Sequence, residues 1–561
     1  MKKFSLLLAV LMAGTSCAFA ACDRGNAGSS SIDATKSQLY VGVYDGGFGC
    51  QFVETWGDKF EKLYENYSFE EGKVGVEVIP EVSKVYALDQ LIYRLNEQIH
   101  EISFIEQCNY YNLIKESAVL DVTEWVTTPL SEYGETESIE DKMQEMDIEY
   151  YGQNTDDPEY YGVPWYLAMP SINYDVQLFE ENNFYLAAEG LGDEEGFIET
   201  EDTKKSTGPD GEYGNSDDGL PATYEEFFKL CDRIYDFGMT PIIWPGASQS
   251  YVNNLLLAFA ADYEGYESMK LNYTFDGNVN TLVDYIENGI AILEEAQSIS
   301  LETGYQLKKQ AGWYYALKFL HRLITTKDAD GKPKYYNYDD CFSESVSHKT
   351  AQTKFLRSNH TSSMPAIAML VDGTWWYNEA SETFASMGGI AGASKKDRKI
   401  GLMSIPKVSE EQVGEQGTIM QTWVSSVVVR SNIAESKKDL VRAFYRFIHT
   451  DENLSTYMVD SCGLRPYEFD LTGISENDMP MYTREQYTMF NNMQVVRPYA
   501  NNSICKQYLN EIHRNFTTLV GNSQYTLVTK AFDAGVSAEA YFEGMAEYMN
   551  ATSWSRFITN N

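Results

Sequence analysis

Between Leu39 and Tyr44 the chain reads Leu-Tyr-Val-Gly-Val-Tyr, a β-rich run that predicts a strand ending in the glycine-bearing loop Asp45-Gly46-Gly47-Phe48-Gly49. Past that loop the period changes. Phe52, Trp56, Phe60, Leu63 and Tyr64 recur close to helical spacing, so a helix follows. A second strand is predicted over 74–80 (Val-Gly-Val-Glu-Val-Ile-Pro), a second helix over 87–99 and a third strand within 100–108. Strand and helix alternating on this scale indicate an α/β class with a mostly parallel sheet. In such sheets ligands bind beyond the carboxyl ends of the strands, where strand order switches. Tyr44, Asp45, Glu106 and Asn109 all fall near those predicted ends. Further on, the apolar run Ala-Ile-Ala-Met-Leu-Val stops at Asp372-Gly373, and Trp375 and Trp376 follow side by side. A buried indole is ordinary packing for either tryptophan, so the pair by itself does not select a function.

At 561 residues the chain exceeds the roughly 250–300 at which single cores stop growing, so more than one lobe is expected. Charge narrows the function classes: 83 Asp and Glu against 43 Lys and Arg give a formal charge of −40, which repels phosphate backbones and excludes nucleic acid as a partner. The N-terminus adds a compartment. Lys2 and Lys3 precede a short apolar segment rich in small residues, the pattern of a secretory signal peptide over 1–21. Cleavage after Ala18-Phe19-Ala20 and cleavage before Cys22 are both open. The second resembles a bacterial lipobox with Phe19 where Leu is usual, and would leave Cys22 lipidated. Residues 22–37 are small, polar and aperiodic, as a flexible tether requires. A lipid on Cys22 would hold the body at the extracellular face of the cell membrane. The remaining cysteines are far apart and form no CxxC, which argues against zinc or thioredoxin chemistry; Cys50 with Cys108 is the one pairing suggested.

The stretch Tyr160 to Phe184 contains Tyr161-Gly162-Val163-Pro164, then Asn173-Tyr174-Asp175 and Leu178-Phe179. Here the sequence resembles the extracellular solute-binding proteins of bacterial ABC importers, in their large carbohydrate-binding group. Three later segments agree in order. Leu220 to Trp244 is similar to that family's Pro-x-Thr-Trp-x-Glu-Phe helix and following strand, with Tyr224 in place of Trp. Ala368 to Glu379 is similar to its Ala-Met-x-x-x-Gly-x-Trp element, and Trp423 to Pro466 to its closing strand, helix and Gly-x-x-Pro. The resemblance implies a periplasmic-binding-protein-like fold of two α/β lobes, a hinge and a ligand cleft between them. It places 38–168 with 350–422 in lobe 1, and 169–349 with 423–561 in lobe 2. It implies a monomeric, non-enzymatic receptor that captures a carbohydrate, expected to be an oligosaccharide, and passes it to the permease. Trp375 matches the tryptophan that stacks on a sugar ring in this family, while Trp376 is expected to point into packing.

Trp165, Tyr166, Trp244 and Trp423 fall at or near predicted strand ends and crossovers and join the candidate contacts. Asp45, Glu106 and Asn109 could bond sugar hydroxyls, which a largely pre-formed site needs in small number. The connection from Phe184 to Leu220 is longer than usual for the family and rich in Gly, Asp and Glu. Its carboxylates suggest a structural calcium at Asp210, Asp217 and Asp218, although the EF-hand spacing fails; no cofactor is otherwise required. The loop Tyr44 to Gly49 lacks GxGxxG and GxxxxGK[ST], and neither HExxH nor GxSxG occurs. Two other classes stay open: an extracellular glycoside hydrolase, which needs two carboxylates facing one sugar, and a surface lipoprotein of the same fold with a different ligand.

Overall fold

In the computed structural model the described residues are 32–83, 95, 100–106, 110–153, 157–471, 473–475, 479–497 and 516–560. The predicted leader, Cys22, most of the predicted helix 87–99, Cys108, Asn109 and Cys505 lie outside them. Two sheets organise the chain. The first has the order β2-β1-β3-β14-β4. Its strands are β1 (Ser37–Tyr44), β2 (Val76–Ser83), β3 (Ile102–Glu106), β4 (Gly162–Val163) and β14 (Ser425–Val429). The second has the order β12-β5-β11-β6, built from β5 (Pro170–Asp175), β6 (Thr240–Ile243), β11 (Ile367–Gly373) and β12 (Ile400–Met403). Between β6 and β11 come two small antiparallel pairs. β7 (Gly277–Val279) pairs with β10 (Gln297–Ile299), and β8 (Val283–Glu287) with β9 (Ile290–Leu293).

The predicted β-helix-β start is present. β1 runs parallel to β2 and β3, and helix Gln51–Leu63 buries Phe52, Val53, Trp56, Gly57 and Phe60 on the face its periodicity marks out. A mostly parallel sheet is not what forms, however. β14 is antiparallel to both β3 and β4, and β5 is antiparallel to both β11 and β12. The antiparallel members are the strands that enter directly from a crossing, β5 into the second sheet and β14 back into the first.

That return also corrects the expected division of the chain. Residues 350–422 were placed with the first part, yet β11 and β12 pair with β5 and β6, and Phe355, Ile367–Val371 and Ile400 pack in the second core. Residues 423–561 were placed with the second part; β14 instead pairs with β3, and Val427, Leu440, Phe444 and Tyr457 pack in the first core, whereas Tyr482, Phe532, Tyr541 and Trp554 do pack in the second. The crossings between the sheets are at 164–169 and 421–424. They lie side by side, the Thr422 N–H donating to the Ala168 carbonyl at 2.7 Å.

Local sequence explains the ends of the elements. Thr223 caps helix Tyr224–Asp236 by accepting from the Glu226 N–H, and the Glu226 carboxylate accepts from the Ala222 N–H at 2.7 Å, close to a capping box. Helix Ser250–Thr274 kinks at Gly265, whose φ of 72° only glycine adopts readily. Between Phe184 and Leu220 the acidic connection is not a free loop. It bridges back on itself at Leu186–Phe197 and Ala187–Lys205 and buries Phe197, Ile198 and Leu220. No helix among the described residues is long and apolar enough to cross a membrane. Cys50 is disulfide-bonded, while Cys231, Cys341 and Cys462 are free and buried.

Candidate functional site

The carboxyl ends of β1 and β3 meet Trp375, which arrives from β11 of the other sheet. The side chain of Trp375 doubles back over Gly373, where any Cβ would lie 2.1 Å from the indole, so glycine is required for this pose. The neighbouring tryptophans then part. Trp375 packs with the first core and is 8% exposed, whereas Trp376 is fully buried in the second core against Phe355, Tyr377 and Tyr482.

The loop after β1 is fitted to that indole. Gly47, at φ 97°, leaves only 3.2 Å between a would-be Cβ and Trp375 Cβ and Cδ1. Gly46 stands beside Glu106, with 3.0 Å from its own would-be Cβ to Glu106 Oε2. Asn378 ties the loop to the second sheet by donating from Nδ2 to the Phe48 carbonyl at 2.6 Å, and Lys395 Nζ donates to Asn378 Oδ1 at 2.6 Å. Tyr251, at the start of its long helix, contributes a ring 6.1 Å from that of Trp375 in an edge-on arrangement, and stacks on His348 on its other side.

Behind Trp375 sits a buried acidic pair. Gln352 Nε2 donates to Asp372 Oδ2 at 3.0 Å and to Glu379 Oε2 at 2.9 Å, and His348 Nε2 is 3.1 Å from Glu379 Oε1. Burial, then the Glu379 charge, pushes the Asp372 carboxyl well above the usual range. Burial also raises Glu379, but the hydrogen bond and charge of His348 outweigh it and hold that carboxyl low. Burial thus favours the protonated form of Asp372, while His348 favours the ionised form of Glu379.

On the first sheet, Tyr44, Asp45 and Glu106 gather at the strand ends as the sequence suggested. Tyr44 and Asp45 are half-buried and Glu106 is 5% exposed. Burial, then the Glu106 and Asp45 carboxylates, keeps the Tyr44 phenol above its usual range and so neutral. Tyr166 is fully buried beside Glu106, and burial, then that carboxylate, pushes its phenol well above the usual range.

Other candidates are placed differently. Trp165 is completely buried: its Nε1 donates to the Ile105 carbonyl at 2.8 Å and its ring lies edge-on to Phe104 and Tyr166. Trp244 is likewise sealed in the second core against Tyr336 and Phe342. Both are packing residues, since aromatic rings at strand ends bury more area inward than a cleft offers. Trp423 is half-buried on the first core at the second crossing. Asn109 lies outside the described residues. Asp210, Asp217 and Asp218 do not form a calcium group. Among the described residues no three or more His, Cys, Asp or Glu converge as metal ligands, and Asp210 spends both oxygens within its own loop on Glu212 N–H and Asn215 Nδ2. Sequence reasoning missed Tyr251, Asn378 and the Asp372–Glu379 pair. Only Asp372-Gly373, next to the quoted tryptophans, carried a local signal.

No protein-family model and no curated protein matches this chain. Solved structures do match over nearly the whole length. A chitin oligosaccharide binding protein aligns at 15% identity over 92% of this chain and 98% of that one, with a TM-score of 0.53. RafE from Streptococcus pneumoniae in its apo form aligns at 12% identity over 93% and 99%, TM-score 0.52. A structure from work on xylan utilization by Caldanaerobius polysaccharolyticus aligns at 12% identity over 91% and 100%, TM-score 0.52. At such identities the fold is what is shared.

Proposed function

We propose that this chain is the solute-binding component of an ABC importer, capturing an oligosaccharide between its two sheets and delivering it to a permease. The observation that carries the reading is Trp375: it belongs in sequence to the second sheet, yet packs with the first core and against Gly47 at the ends of the strands. An indole so placed can cover the C–H face of a sugar while Glu106 and Asp45 bond hydroxyls at its edge. The crossings at 164–169 and 421–424 act as the hinge between two lobes that close on the ligand. The fold is shared with a chitin oligosaccharide binding protein and with RafE, the latter also solved in complex with raffinose. These support sugar as the ligand class.

The role is capture without chemistry: a bound oligosaccharide is released intact. Cys22 carries a lipid, the residues between it and β1 are the leash, and the body acts as a monomer at the extracellular face of the membrane. A thermal-shift screen of the body from Ser37 onward against raffinose, chitin oligosaccharides and xylo-oligosaccharides tests this. At least one sugar is expected to raise the melting temperature and to be recovered unhydrolysed. If no carbohydrate shifts it, the ligand class is wrong; if the sugar is cleaved, the protein is a glycoside hydrolase.

A further inference from the structure

At the corner where the described chain begins, large apolar side chains gather on the surface. Ile32, Leu63, Tyr67 and Val74 are each more than half exposed. Backbone bonds draw their segments together: the Val74 N–H donates to the Thr35 carbonyl at 2.9 Å, the Gly75 N–H to the Tyr67 carbonyl at 2.8 Å, and the Ser37 N–H to the Gly75 carbonyl at 3.0 Å. The Tyr67 ring is held in place by Phe69 and Tyr64, with ring centres 4.6 and 5.6 Å away. Single exposed apolar residues need no explanation, whereas a cluster on a fixed frame marks an interaction surface.

Two features of position say what covers it. The first is the leash. Asp33 is tied to edge strand β2, its N–H donating to Glu77 Oε2 at 3.0 Å, so the free span from a lipidated Cys22 ends at Ile32, ten residues on. Fully extended, such a span reaches at most about 35 Å, which keeps this corner beside the bilayer. The second is direction. β1 runs from this corner to Tyr44 at the cleft, and helix Gln51–Leu63 returns from the cleft loop to Leu63. A strand of that length spans about 26 Å, so the patch and the sugar cleft lie at opposite ends of the first sheet.

The side chains suit a lipid interface, where amphipathic rings such as that of Tyr67 settle at headgroup level and aliphatic groups such as Leu63 and Val74 reach the acyl boundary. Asp33, Glu61, Glu65, Glu70 and Glu71 outnumber Lys36, Lys62 and Lys73 around them, so headgroup charge is not the driving force.

We infer that this corner docks on the lipid surface through Leu63, Tyr67 and Val74 and turns the sugar cleft toward the medium, the pose for capture. The inference rests on the lipid-anchored reading above. The contact is weak and reversible: the leash supplies the local concentration that makes a weak contact sufficient, and delivery to a permease takes its release.

The test uses the full-length protein made in a bacterium and reconstituted on phosphatidylcholine vesicles. Mass spectrometry of the N-terminal peptide first reads the lipid on Cys22. An NBD label is then placed by Asn66→Cys, beside the patch, or by Glu287→Cys on the β8–β9 hairpin, whose Tyr285, Ile290 and Leu293 form the competing exposed cluster. Quenching by doxyl-labelled lipid is measured, with the equally treated parent as blank. The label at 66 is expected to be quenched about twofold or more above that at 287, and Leu63→Ser with Tyr67→Ser and Val74→Ser to remove about half or more of the difference. The sugar-induced rise in melting temperature should survive in the triple variant. Equal quenching at both positions, stronger quenching at 287, or no loss in the triple variant would overturn the docking and leave the anchor standing. A Cys22 without lipid would remove the anchor reading, and the docking with it. A response of the label at 66 that grows with protein concentration without vesicles would assign the corner to a second copy of this chain instead.

Discussion

Gly373 shows how much one position decides. Adding a single methyl there places carbon 2.1 Å from the Trp375 ring, so Gly373→Ala must expel the indole or shift β11. Overpacking of this kind costs about 1–3 kcal/mol, readable by denaturant unfolding, and ligand-induced stabilisation should be lost with it. A second residue-scale prediction concerns Glu485, buried in helix Met481–Asn492. Its Oε2 accepts from the Leu402 N–H at 2.6 Å, Oε1 has no partner, and burial pushes its pKa up to about 8. A raised acid pKa means the folded state holds the proton more tightly. Its contribution is therefore fully present below the unfolded value near 4.3 and is lost as pH rises through about 8. Glu485→Gln should come close to the parent in stability near pH 4 and exceed it by a growing margin up to pH 8, measured by melting temperature across that range. At this scale the sequence displayed Trp375, Tyr44, Asp45 and Glu106, because strand ends are legible from hydrophobic runs. It hid Tyr251 and Asn378, whose contacts to Trp375 and Phe48 span 124 and 330 positions along the chain.

Among the elements, the join between the sheets is held by buried charge. Arg497, just after β15 (Gln494–Val496), forks onto Asp147 with Nε to Oδ1 at 3.2 Å and Nη2 to Oδ2 at 3.1 Å, both side chains fully buried. Asp147 sits in helix Glu145–Tyr151, so the pair links the strand beside the second crossing to a helix next to the first core. Removing one partner strands the other. Asp147→Ala should destabilise by about 3–5 kcal/mol in chemical denaturation, more than a swap of both residues for apolar ones. Helices and early strands were readable from period alone, as in Gln51–Leu63 and β1. Strand partners were not: β11 and β14 both read as buried β runs, and nothing in either run states which sheet it joins. Their exchange relative to expectation is decided by the crossings, where Thr422 bonds Ala168 and brings the chain back to β3.

For the whole molecule, the disulfide at Cys50 sits at the start of helix Gln51–Leu63, directly after the loop that meets Trp375. Cys231, Cys341 and Cys462 being free leaves Cys108 and Cys505; we propose Cys108, the pairing the sequence suggested, and non-reducing peptide mapping should recover a Cys50–Cys108 peptide and not a Cys50–Cys505 one. The fold was legible because four motifs kept their order along the chain. The ligand's identity was not, because it depends on which side chains from both sheets converge. The central claim is that a sugar is held between the sheets by Trp375, and the most direct test is calorimetric titration of the best ligand into the parent and Trp375→Ala. A single site is expected, with affinity falling about thirtyfold or more in the variant, as truncating a central tryptophan typically costs about 2 kcal/mol or more. Unchanged affinity in a folded Trp375→Ala protein would contradict it.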